Sequence, residues 1–314
     1  MAQAGTEPSV DGSYSIKGLL ILSRLPFLLP GIAALVTGVS IGWATGLDGE
    51  FGLTAMAISG IALIMLATYY FNEYFDFEGD MINKKFIPFS GGSRAIPDGM
   101  VPKSWARLAG WSTVAILVVY AVTYLLFYFR DFPLLLPLGL FGAFCGIFYS
   151  TPPFQWAYKG IGEIIIGGCY GMLAMLSGYY VITSTLDLGI LLVAVPASLT
   201  VFGIIMAAEF PDYEADKAVK KLTLVVRFKL KGSSRIFAAA MALVYPFMLA
   251  SVLVGVDWRI AIVGLPLLVS SGLAVVWTLK GGYENRAGQQ KIFIATLLSN
   301  LLASVLFIPV VFLW

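Results

Sequence analysis

Long apolar segments, each about 20 residues and separated by short polar stretches, occupy most of this 314-residue chain. A helix rises about 1.5 Å per residue, so a segment of that length crosses a hydrocarbon layer roughly 30 Å thick. Only 12% of the residues are charged and 59% are hydrophobic, whereas an average soluble domain is about 25% charged. The pattern predicts an all-α membrane protein, a bundle of about nine transmembrane helices.

The predicted spans follow the apolar runs between polar breaks. They are 18–46, 53–75, 104–128, 133–150, 161–183, 188–210, 235–256, 259–279 and 291–313. Residues 1–15 form a polar tail that we expect to be disordered, and 16–314 form one transmembrane domain. Spans one to four and five to eight are predicted to be two pseudo-repeated four-helix halves.

The connections between predicted spans differ in charge. One side of the membrane receives nearly all lysines and arginines, while the other receives Arg130 and Arg259. The positive-inside rule then predicts a cytosolic N-terminus, with Trp314 across the membrane. The longer cytosolic loops, about 76–103 and 211–234, should carry the active site. We therefore expect an integral protein of the cell inner membrane whose active site faces the cytosol.

Composition excludes several classes of function. The chain has no histidine, which removes imidazole acid–base chemistry and histidine-bound metals. Cys145 and Cys169 lie in apolar runs, where a thiol behaves as a small hydrophobe. A net charge of only +2 argues against a nucleic-acid partner. The sequence gives no sign of an obligate protein partner.

Two short stretches, 72–80 and 209–216, hold eight of the 18 acidic residues. Each closes a predicted even-numbered span on the cytosolic side. Spacings of three and four residues place oxygen ligands on one helical face, and Mg²⁺ prefers carboxylate oxygens and shares its coordination sphere with phosphates. Lone acids at helix ends are usually solvated, but two matched clusters favour a metal site. The predicted ligands are Asn72, Asp76, Asp80, Asp212 and Asp216.

Basic residues accompany both acidic clusters. Metal ions together with cations describe a diphosphate site, although the positive-inside bias alone would also supply such cations. The glycines of 91–94 could bring backbone N–H groups near phosphate. The predicted diphosphate-binding residues are Arg24, Lys84, Arg94, Lys217, Lys221 and Arg227.

At these clusters the sequence resembles the UbiA superfamily of intramembrane prenyltransferases. The first motif of that superfamily matches 72–80, with Glu73 in place of an aspartate, and the second matches 212–216. The resemblance covers nearly the whole chain. Other stretches that carry it are Arg24–Pro26, Gly91–Gly99, Tyr149–Phe154, Tyr158–Glu163 and Gly178–Tyr180.

The last three of those stretches look most like the 1,4-dihydroxy-2-naphthoate prenyltransferases of menaquinone synthesis. Two single residues and one short stretch depart from family patterns. Glu209 stands where the naphthoate enzymes usually show asparagine. Residues 220–223 replace a Gly-Lys-Arg-Thr, and Pro153 stands where benzoate-type members carry a lysine, which Lys159 could replace.

The resemblance implies Mg²⁺-dependent transfer of a prenyl group from a polyprenyl diphosphate to an aromatic or other small acceptor, in menaquinone or related quinone or lipid synthesis. Two Mg²⁺ ions are implied, with Mn²⁺ as an alternative. Asp76 and Asp212 would be catalytic, and Lys159, Glu163 or Glu209 would accept a proton. The prenyl and acceptor pocket would include Tyr69, Phe71, Tyr149 and Tyr170. The prenyl tail would leave laterally into lipid.

Two other functions use similar features. A terpene cyclase of the same fold would ionise the same diphosphate but close the cation on its own double bonds. A secondary transporter also combines repeats with intramembrane acids, but those acids lie near the bilayer midplane, whereas here they cluster at predicted cytosolic helix ends.

Overall fold

The structure, a computed structural model, describes residues 16–88 and 90–313, and every regular element in that part of the chain is helical. The predicted tail 1–15 and Trp314 lie outside the described residues. The α-helices are α1 (Ile16–Leu22), α2 (Leu29–Trp43), α3 (Phe51–Phe75), α4 (Phe77–Ile82), α5 (Lys103–Phe127), α6 (Leu135–Ile147), α7 (Gly162–Gly167), α8 (Ala174–Thr183), α9 (Leu188–Ala218), α10 (Leu224–Ala250), α11 (Ile260–Val263), α12 (Leu265–Leu279), α13 (Arg286–Val305) and α14 (Phe307–Leu313).

Seven helices of the described chain, some built from consecutive elements, are long and apolar enough to cross a membrane. They are Ile16–Trp43, Phe51–Phe75, Lys103–Phe127, Gly162–Thr183, Leu188–Ala218, Leu224–Val254 and Arg286–Phe312. The predicted spans 133–150 and 259–279 coincide with two shorter apolar helices, α6 and α12. The all-α architecture is therefore confirmed, while the count of nine spans, their orientation and the pseudo-repeat stay predictions.

Parts of the connection predicted at 211–234 are helical, and the backbone leaves helical geometry inside α10 at Lys229, which has a φ of +59° and a ψ of +162°. The helix α9 continues through Pro211 to Ala218, and α10 begins at Leu224. A proline usually ends a helix because it lacks an N–H and its ring clashes with the preceding turn. Here α9 packs against α10, α13 and α7 on several sides, and this packing holds the helix together beyond the proline.

Helices α2 and α8 approach each other closely at two glycines. A Cβ at Gly38 of α2 would lie 2.0 Å from the carbonyl oxygen of Met175, and one at Gly178 of α8 would lie 2.0 Å from that of Leu35. Small residues let backbones approach in this way in membrane proteins, where van der Waals packing drives helix association. This contact fixes the first span against the middle of the bundle.

The core of the bundle lies around α9, which contacts α10, α13, α7 and α4. Helix α3 packs against α5, α6 and α2. The C-terminal ends of α3 and α9 meet through α4, which contacts α9. This arrangement brings the two acidic stretches, far apart in sequence, to one place.

Candidate active site

The first acidic stretch lies across the junction of α3 and α4. Asp76 ends one helix and begins the next, yet its N–H donates to Asn72 O at 2.8 Å and its own carbonyl accepts from Asp80 N at 3.0 Å. Helical hydrogen bonding thus continues through the junction. Because residues four apart share a face of a helix, Asn72, Asp76 and Asp80 project to the same side, as their spacing predicts.

Asp76 accepts hydrogen bonds from three different parts of the chain. Its Oδ2 accepts from Asn72 Nδ2 at 2.7 Å and from Lys221 Nζ at 2.6 Å. Its Oδ1 accepts from the hydroxyl of Tyr158 at 2.8 Å. The amide of Asn72 also donates to Ser150 Oγ at 3.0 Å. A carboxylate with this many donors is held in one orientation.

Asp212, in the second acidic stretch, is bound by the segment that follows α4. Its Oδ1 accepts from Asn83 Nδ2 at 2.7 Å, and its Oδ2 accepts from Gly91 N at 3.0 Å. The N–H of Gly91 can point toward α9 because its φ of +67° is readily adopted by glycine. These bonds join the second acidic stretch to the segment that follows the first one.

Lys221 returns to the site through a tight turn after α9. Lys220 has a φ of +59°, and the N–H of Lys221 donates to Asp216 O at 2.8 Å. The ammonium therefore lies between Asp76 and Asp216, 3.7 Å from Asp216 Oδ1. Burial disfavours the charged ammonium, but these two carboxylates outweigh it and raise the pKa of Lys221 well above its ordinary value.

Glu73 holds the glycine-containing loop against α3. It is 1% exposed and accepts from Ser93 N at 2.6 Å and from Ser93 Oγ at 2.7 Å. Arg24 Nε lies 2.7 Å from its Oε1. A Cβ at Gly92 would lie 2.2 Å from Asp80 Oδ2 and 3.3 Å from Arg24 Nη2. The loop thus sits directly on the acidic stretch, and glycine is needed at 92 for that contact.

One cavity of about 160 Å³ lies between these groups. Its polar end is formed by the acidic stretches, the loop and two cations. The polar lining comprises Arg24, Asn72, Asp76, Asp80, Asn83, Ser90, Gly91, Gly92, Glu209, Asp212, Asp216 and Lys221. Its deeper wall is aromatic and aliphatic. That lining includes Phe27, Met65, Tyr69, Tyr149, Ile166, Tyr170, Val201, Ile204 and Ile205.

Comparison with known proteins decides the family. The profile of the UbiA prenyltransferase family matches residues 27–300. The chain belongs to the UbiA prenyltransferase family. With seven candidate spans in the described chain, we describe it as an integral membrane protein.

Three similar proteins illustrate the relationship. The 1,4-dihydroxy-2-naphthoate octaprenyltransferase of Bacillus subtilis is 27% identical over 194 residues, which are 61% of this chain and 60% of that protein. The structure of a digeranylgeranylglyceryl phosphate synthase has a TM-score of 0.61 and 18% identity, covering 95% of this chain and 99% of that one. A UbiA homologue from Archaeoglobus fulgidus bound to GPP and Mg²⁺ has a TM-score of 0.57 and 15% identity, covering 92% and 99%. The two structures share the UbiA fold with this chain.

The cavity residues offer unused oxygen ligands for a divalent cation. Asp216 Oδ2 and Glu209 Oε2 are buried and have no hydrogen-bond partner among the described residues. Burial, together with the charges of Glu73 and Asp76, raises the pKa of Asp80 well above its ordinary value. Within residues 16–88 and 90–313, however, no three carboxylates converge closely enough to hold one ion as arranged. Hard oxygen ligands of this kind suit Mg²⁺, and the remaining positions of its coordination sphere suit substrate phosphate.

Several predicted cations lie outside the cavity. Lys84 is exposed, and Lys217 lies over the ring of Tyr213 at 5.9 Å. Arg227 Nε donates to Leu222 O at 3.3 Å. Of the six predicted diphosphate-binding residues, only Arg24 and Lys221 line the cavity. The clusters of basic residues in the sequence lie near the acidic stretches, but charge alone did not predict which of these residues line the cavity.

Arg94 also lies outside the cavity, beneath the loop. Its Nη1 donates to Asp80 O, its Nη2 lies 3.1 Å from Asp98 Oδ1, and its guanidinium stacks 4.5 Å from the ring of Phe86. It therefore holds the loop to Asp80, Asp98 and Phe86 without lining the cavity itself.

Phe71 and Lys159 differ from their predicted positions. Phe71 packs edge-on against Trp111 at 5.4 Å and contacts Gly110 of α5, so it fills the α3–α5 interface and does not line the cavity. The side chain of Lys159 is exposed and lies 3.5 Å from Pro153 O. Glu163 is fully buried beside the cavity and accepts from Leu224 N at 2.5 Å. Of the three predicted proton acceptors, only Glu209 lines the cavity.

Sequence reasoning missed three residues that contact the acidic stretches: Tyr158, Asn83 and Ser150. Tyr158 lies next to Lys159, in a stretch that carries the family resemblance. Asn83 lies three residues beyond Asp80. Each is adjacent to a recognised motif, but only the tertiary contact distinguishes it from its neighbours.

Proposed function

We propose that this protein is a Mg²⁺-dependent prenyltransferase that moves a prenyl group from a polyprenyl diphosphate to an aromatic acceptor of the dihydroxynaphthoate type, in menaquinone or related quinone synthesis. One observation carries the proposal: the acidic ends of α3 and α9 face a single cavity that is polar at one end and apolar at the other. A prenyl diphosphate has the same polarity along its length.

The metal would be held by oxygen atoms from both acidic stretches. Asn72, Asp76 and Asp80 supply one set, and Asp212 and Asp216 supply the other. The family resemblance implies two ions, and Mn²⁺ could replace Mg²⁺ because it accepts the same oxygen ligands. A metal held there would neutralise negative charge on the diphosphate. The named Archaeoglobus homologue, bound to GPP and Mg²⁺, supports this assignment by analogy.

Two cations would stabilise the leaving group. Lys221 already lies between Asp76 and Asp216, and Arg24 lies beside Gly92 at the edge of the cavity. When the allylic C–O bond breaks, its electron pair remains with the diphosphate oxygen, so negative charge grows at this end of the cavity. Charge-assisted hydrogen bonds to oxyanions are about twice as strong as neutral ones.

The deeper wall would protect the electron-deficient prenyl carbon from water. Tyr69 and Tyr170 donate their hydroxyl hydrogens to Phe27 O and Thr68 Oγ1, both at 2.7 Å. With these hydroxyls engaged, the rings contribute their π faces and apolar edges to the wall. Aromatic faces attract cations, and a dry site prevents a reactive intermediate from being quenched.

Transfer would end with loss of a proton from the acceptor. The acceptor ring donates an electron pair to the prenyl carbon, a C–C bond forms, and the ring carbon then gives up its hydrogen as a proton. Glu209 would accept it, because the residue is 7% exposed and lines the cavity.

The active site would face the cytosol. The acidic ends of α3 and α9 lie beside the lysine-rich connections that the positive-inside rule assigns to the cytosol. A soluble aromatic acid and a lipid-tailed diphosphate would then meet at the cytosolic face of the cell inner membrane.

The test is prenyl transfer by the purified protein with Mg²⁺. Geranyl, geranylgeranyl and longer diphosphates should be combined with dihydroxynaphthoate, 4-hydroxybenzoate or homogentisate, with a sample lacking acceptor as control. A prenylated naphthoquinol, formed with loss of the acceptor's carboxylate as CO₂, or a prenylated naphthoate that keeps the carboxylate, supports the proposal. A prenylated benzoate or homogentisate shows that the acceptor belongs to another class than dihydroxynaphthoate. A cyclised hydrocarbon formed without acceptor identifies a terpene cyclase. Absence of any diphosphate release overturns the proposal.

A further inference from the structure

Glu163 is buried beside the active-site cavity but does not line it. It is the second residue of α7, and its Oε1 accepts a hydrogen bond from Leu224 N at 2.5 Å. Leu224 is the first residue of α10, where the N–H groups have no partner inside the helix and the helix dipole favours negative charge. One oxygen of Glu163 therefore has a donor that stabilises its ionised form.

Glu163 also contacts Glu209 of α9. The two carboxyl groups lie within hydrogen-bonding reach of each other, because α7 packs closely against α9; a Cβ at Gly167 would lie 3.2 Å from Ser198 O. The side chains of Glu163 and Glu209, which we call the glutamate pair, are 0% and 7% exposed. Only Glu209 lines the cavity. The pair therefore extends from the cavity wall to the first turn of α10.

Each member of the glutamate pair has one oxygen without a donor. Neither Glu163 Oε2 nor Glu209 Oε2 accepts a hydrogen bond from an N–H or O–H group of the described residues. An ionised carboxylate is only an acceptor, so two ionised groups form no hydrogen bond with each other. Their like charges also oppose each other where water is excluded. One proton between them supplies the missing donor and leaves one negative charge in place of two.

Other titratable groups surround the pair on the neighbouring elements. Asp216 lies on α9, Lys221 follows α9 and Tyr149 follows α6. The ammonium of Lys221 forms its ion pairs with Asp76 and Asp216, so it does not neutralise the glutamate pair at close range. Arg227, beside the turn that precedes α7, is exposed. A proton is therefore the most direct means of reducing the charge of the pair.

Given the proposed function, on which this inference rests, we propose that Glu163 and Glu209 share one proton before the reaction, and that Glu163 is a positioning residue that takes over this proton when Glu209 receives the proton of the acceptor. Before transfer, Glu209 carries the proton and donates it to ionised Glu163, whose Oε1 is held by Leu224. The acceptor's proton then binds the other oxygen of Glu209, and the shared proton passes to Glu163. The pair changes from one proton and one negative charge to two protons and no charge, and it returns one proton to water before the next turnover.

Infrared spectroscopy tests the shared proton without any substrate. A protonated carboxyl group has a C=O stretching band that a carboxylate lacks. In Glu163→Gln and in Glu209→Gln, the N–H of the new amide replaces the shared proton as the donor, so each variant should lose one such band. The double variant should also lose only one. Glu214→Gln, which changes an exposed glutamate of α9, is the control and should lose none.

The spectra have outcomes that contradict the proposal. A band that survives either single substitution, or the loss of two bands in the double variant, would show that the pair does not share one proton. Spectra should be recorded after EDTA treatment and again with Mg²⁺, because loss of the band of the pair with Mg²⁺ would place an ion between the carboxyl groups instead. If a variant fails to fold, ¹³C labelling of glutamate carboxyl groups in the wild-type protein still decides, since absence of a protonated glutamate band overturns the proposal.

Kinetics test the role of Glu163. In Glu163→Gln, the amide N–H stabilises ionised Glu209, and this hydrogen bond is lost when Glu209 takes the acceptor's proton. We therefore expect kcat to fall about tenfold with KM unchanged. Because Glu163 acts through Glu209, adding Glu163→Gln to Glu209→Gln should lower kcat no further.

Two kinetic results would remove the role given to Glu163. One is an unchanged kcat in Glu163→Gln, and the other is a further fall of about tenfold when the two substitutions are combined, as independent structural effects would give. Absence of diphosphate release by the wild-type protein counts against the proposed function instead. The infrared bands need no turnover, so the two failures are distinguishable.

Discussion

Lys221 Nζ lies 2.6 Å from Asp76 Oδ2, a contact between residues 145 positions apart in sequence. The side chains are 14% and 7% exposed, so this ion pair is largely shielded from water. A cation placed after α9 therefore neutralises an acid placed after α3. If the cavity binds a metal and a diphosphate as proposed, the ammonium would be able to contact phosphate oxygens, because Lys221 and Asp76 both line that cavity.

Replacing Lys221 with methionine should impair use of the donor. A hydrogen bond to a charged group contributes about 1.5–3 kcal/mol, so we expect kcat/KM for the prenyl diphosphate to fall about 10- to 100-fold. Lys217→Met is the matched control, since that lysine is exposed and lies over Tyr213; its effect should be within about twofold. Equal losses in the two variants would remove the special role given to Lys221.

The same substitution should also make stability depend on metal. Without the ammonium, Asp76 and Asp216 are buried near each other with no lysine between them, and breaking a buried pair costs about 3–5 kcal/mol. Thermal unfolding in detergent should show a lower Tm for Lys221→Met than for the wild-type protein. Added Mg²⁺ should raise the Tm of the variant by more than it raises the Tm of the wild-type protein. An equal response to Mg²⁺ in both proteins would mean that the ion does not bind these carboxylates.

Removing either central acid should abolish turnover. Asp76→Asn and Asp212→Asn each delete a charged ligand, and we expect prenyl transfer to fall at least about a thousandfold while the proteins still fold and insert. Glu78→Gln and Glu214→Gln serve as controls, because these acids belong to the same stretches but are exposed and line no part of the cavity. Chelation with EDTA should stop the wild-type enzyme, and Mg²⁺ should restore it. Full activity in Asp76→Asn would refute the assigned role.

Glu209→Gln should lower kcat with little change in the KM of either substrate. The substitution keeps the size of the side chain but removes the group that would take the acceptor's proton, and general-base contributions are about 100- to 10,000-fold. Rapid-quench measurement should then show diphosphate release outpacing formation of the prenylated product. If both steps slow equally, Glu209 acts on ionisation and not on the proton.

Glu73→Gln should destabilise the fold near the loop. Glu73 is buried and binds both Ser93 and Arg24, so its removal leaves Arg24 without its nearest counter-charge at a cost of about 3 kcal/mol. Unfolding should be measured beside Asp98→Asn, which breaks the more exposed Arg94–Asp98 pair and should cost no more than about 1 kcal/mol. Similar decreases in the free energy of unfolding of the two variants would show that burial of the Glu73–Arg24 pair adds nothing to stability.

Much of the fold could be predicted because its causes are local. A run of about 20 apolar residues must form a helix in hydrocarbon, where every backbone group needs an internal partner. The spacing of Asn72, Asp76 and Asp80 likewise fixed their common face, since helical hydrogen bonding persists through the α3–α4 junction. The bounds of α9 were predicted less well because Pro211 and the charges that follow it usually end a span, and packing against neighbouring helices overrode them.

The sequence by itself determined that the chain is a helical membrane protein with two oxygen-rich helix ends, because apolar length and helical periodicity are properties of single segments. Only the tertiary structure decided which side chains meet there. A left-handed turn at Lys220 directs Lys221 into the cavity while Lys217 stays outside, and the packing of α3 against α5 turns Phe71 away from it. A segment's own period fixes which residues share a face, but the neighbour that this face meets depends on the packing of the whole bundle.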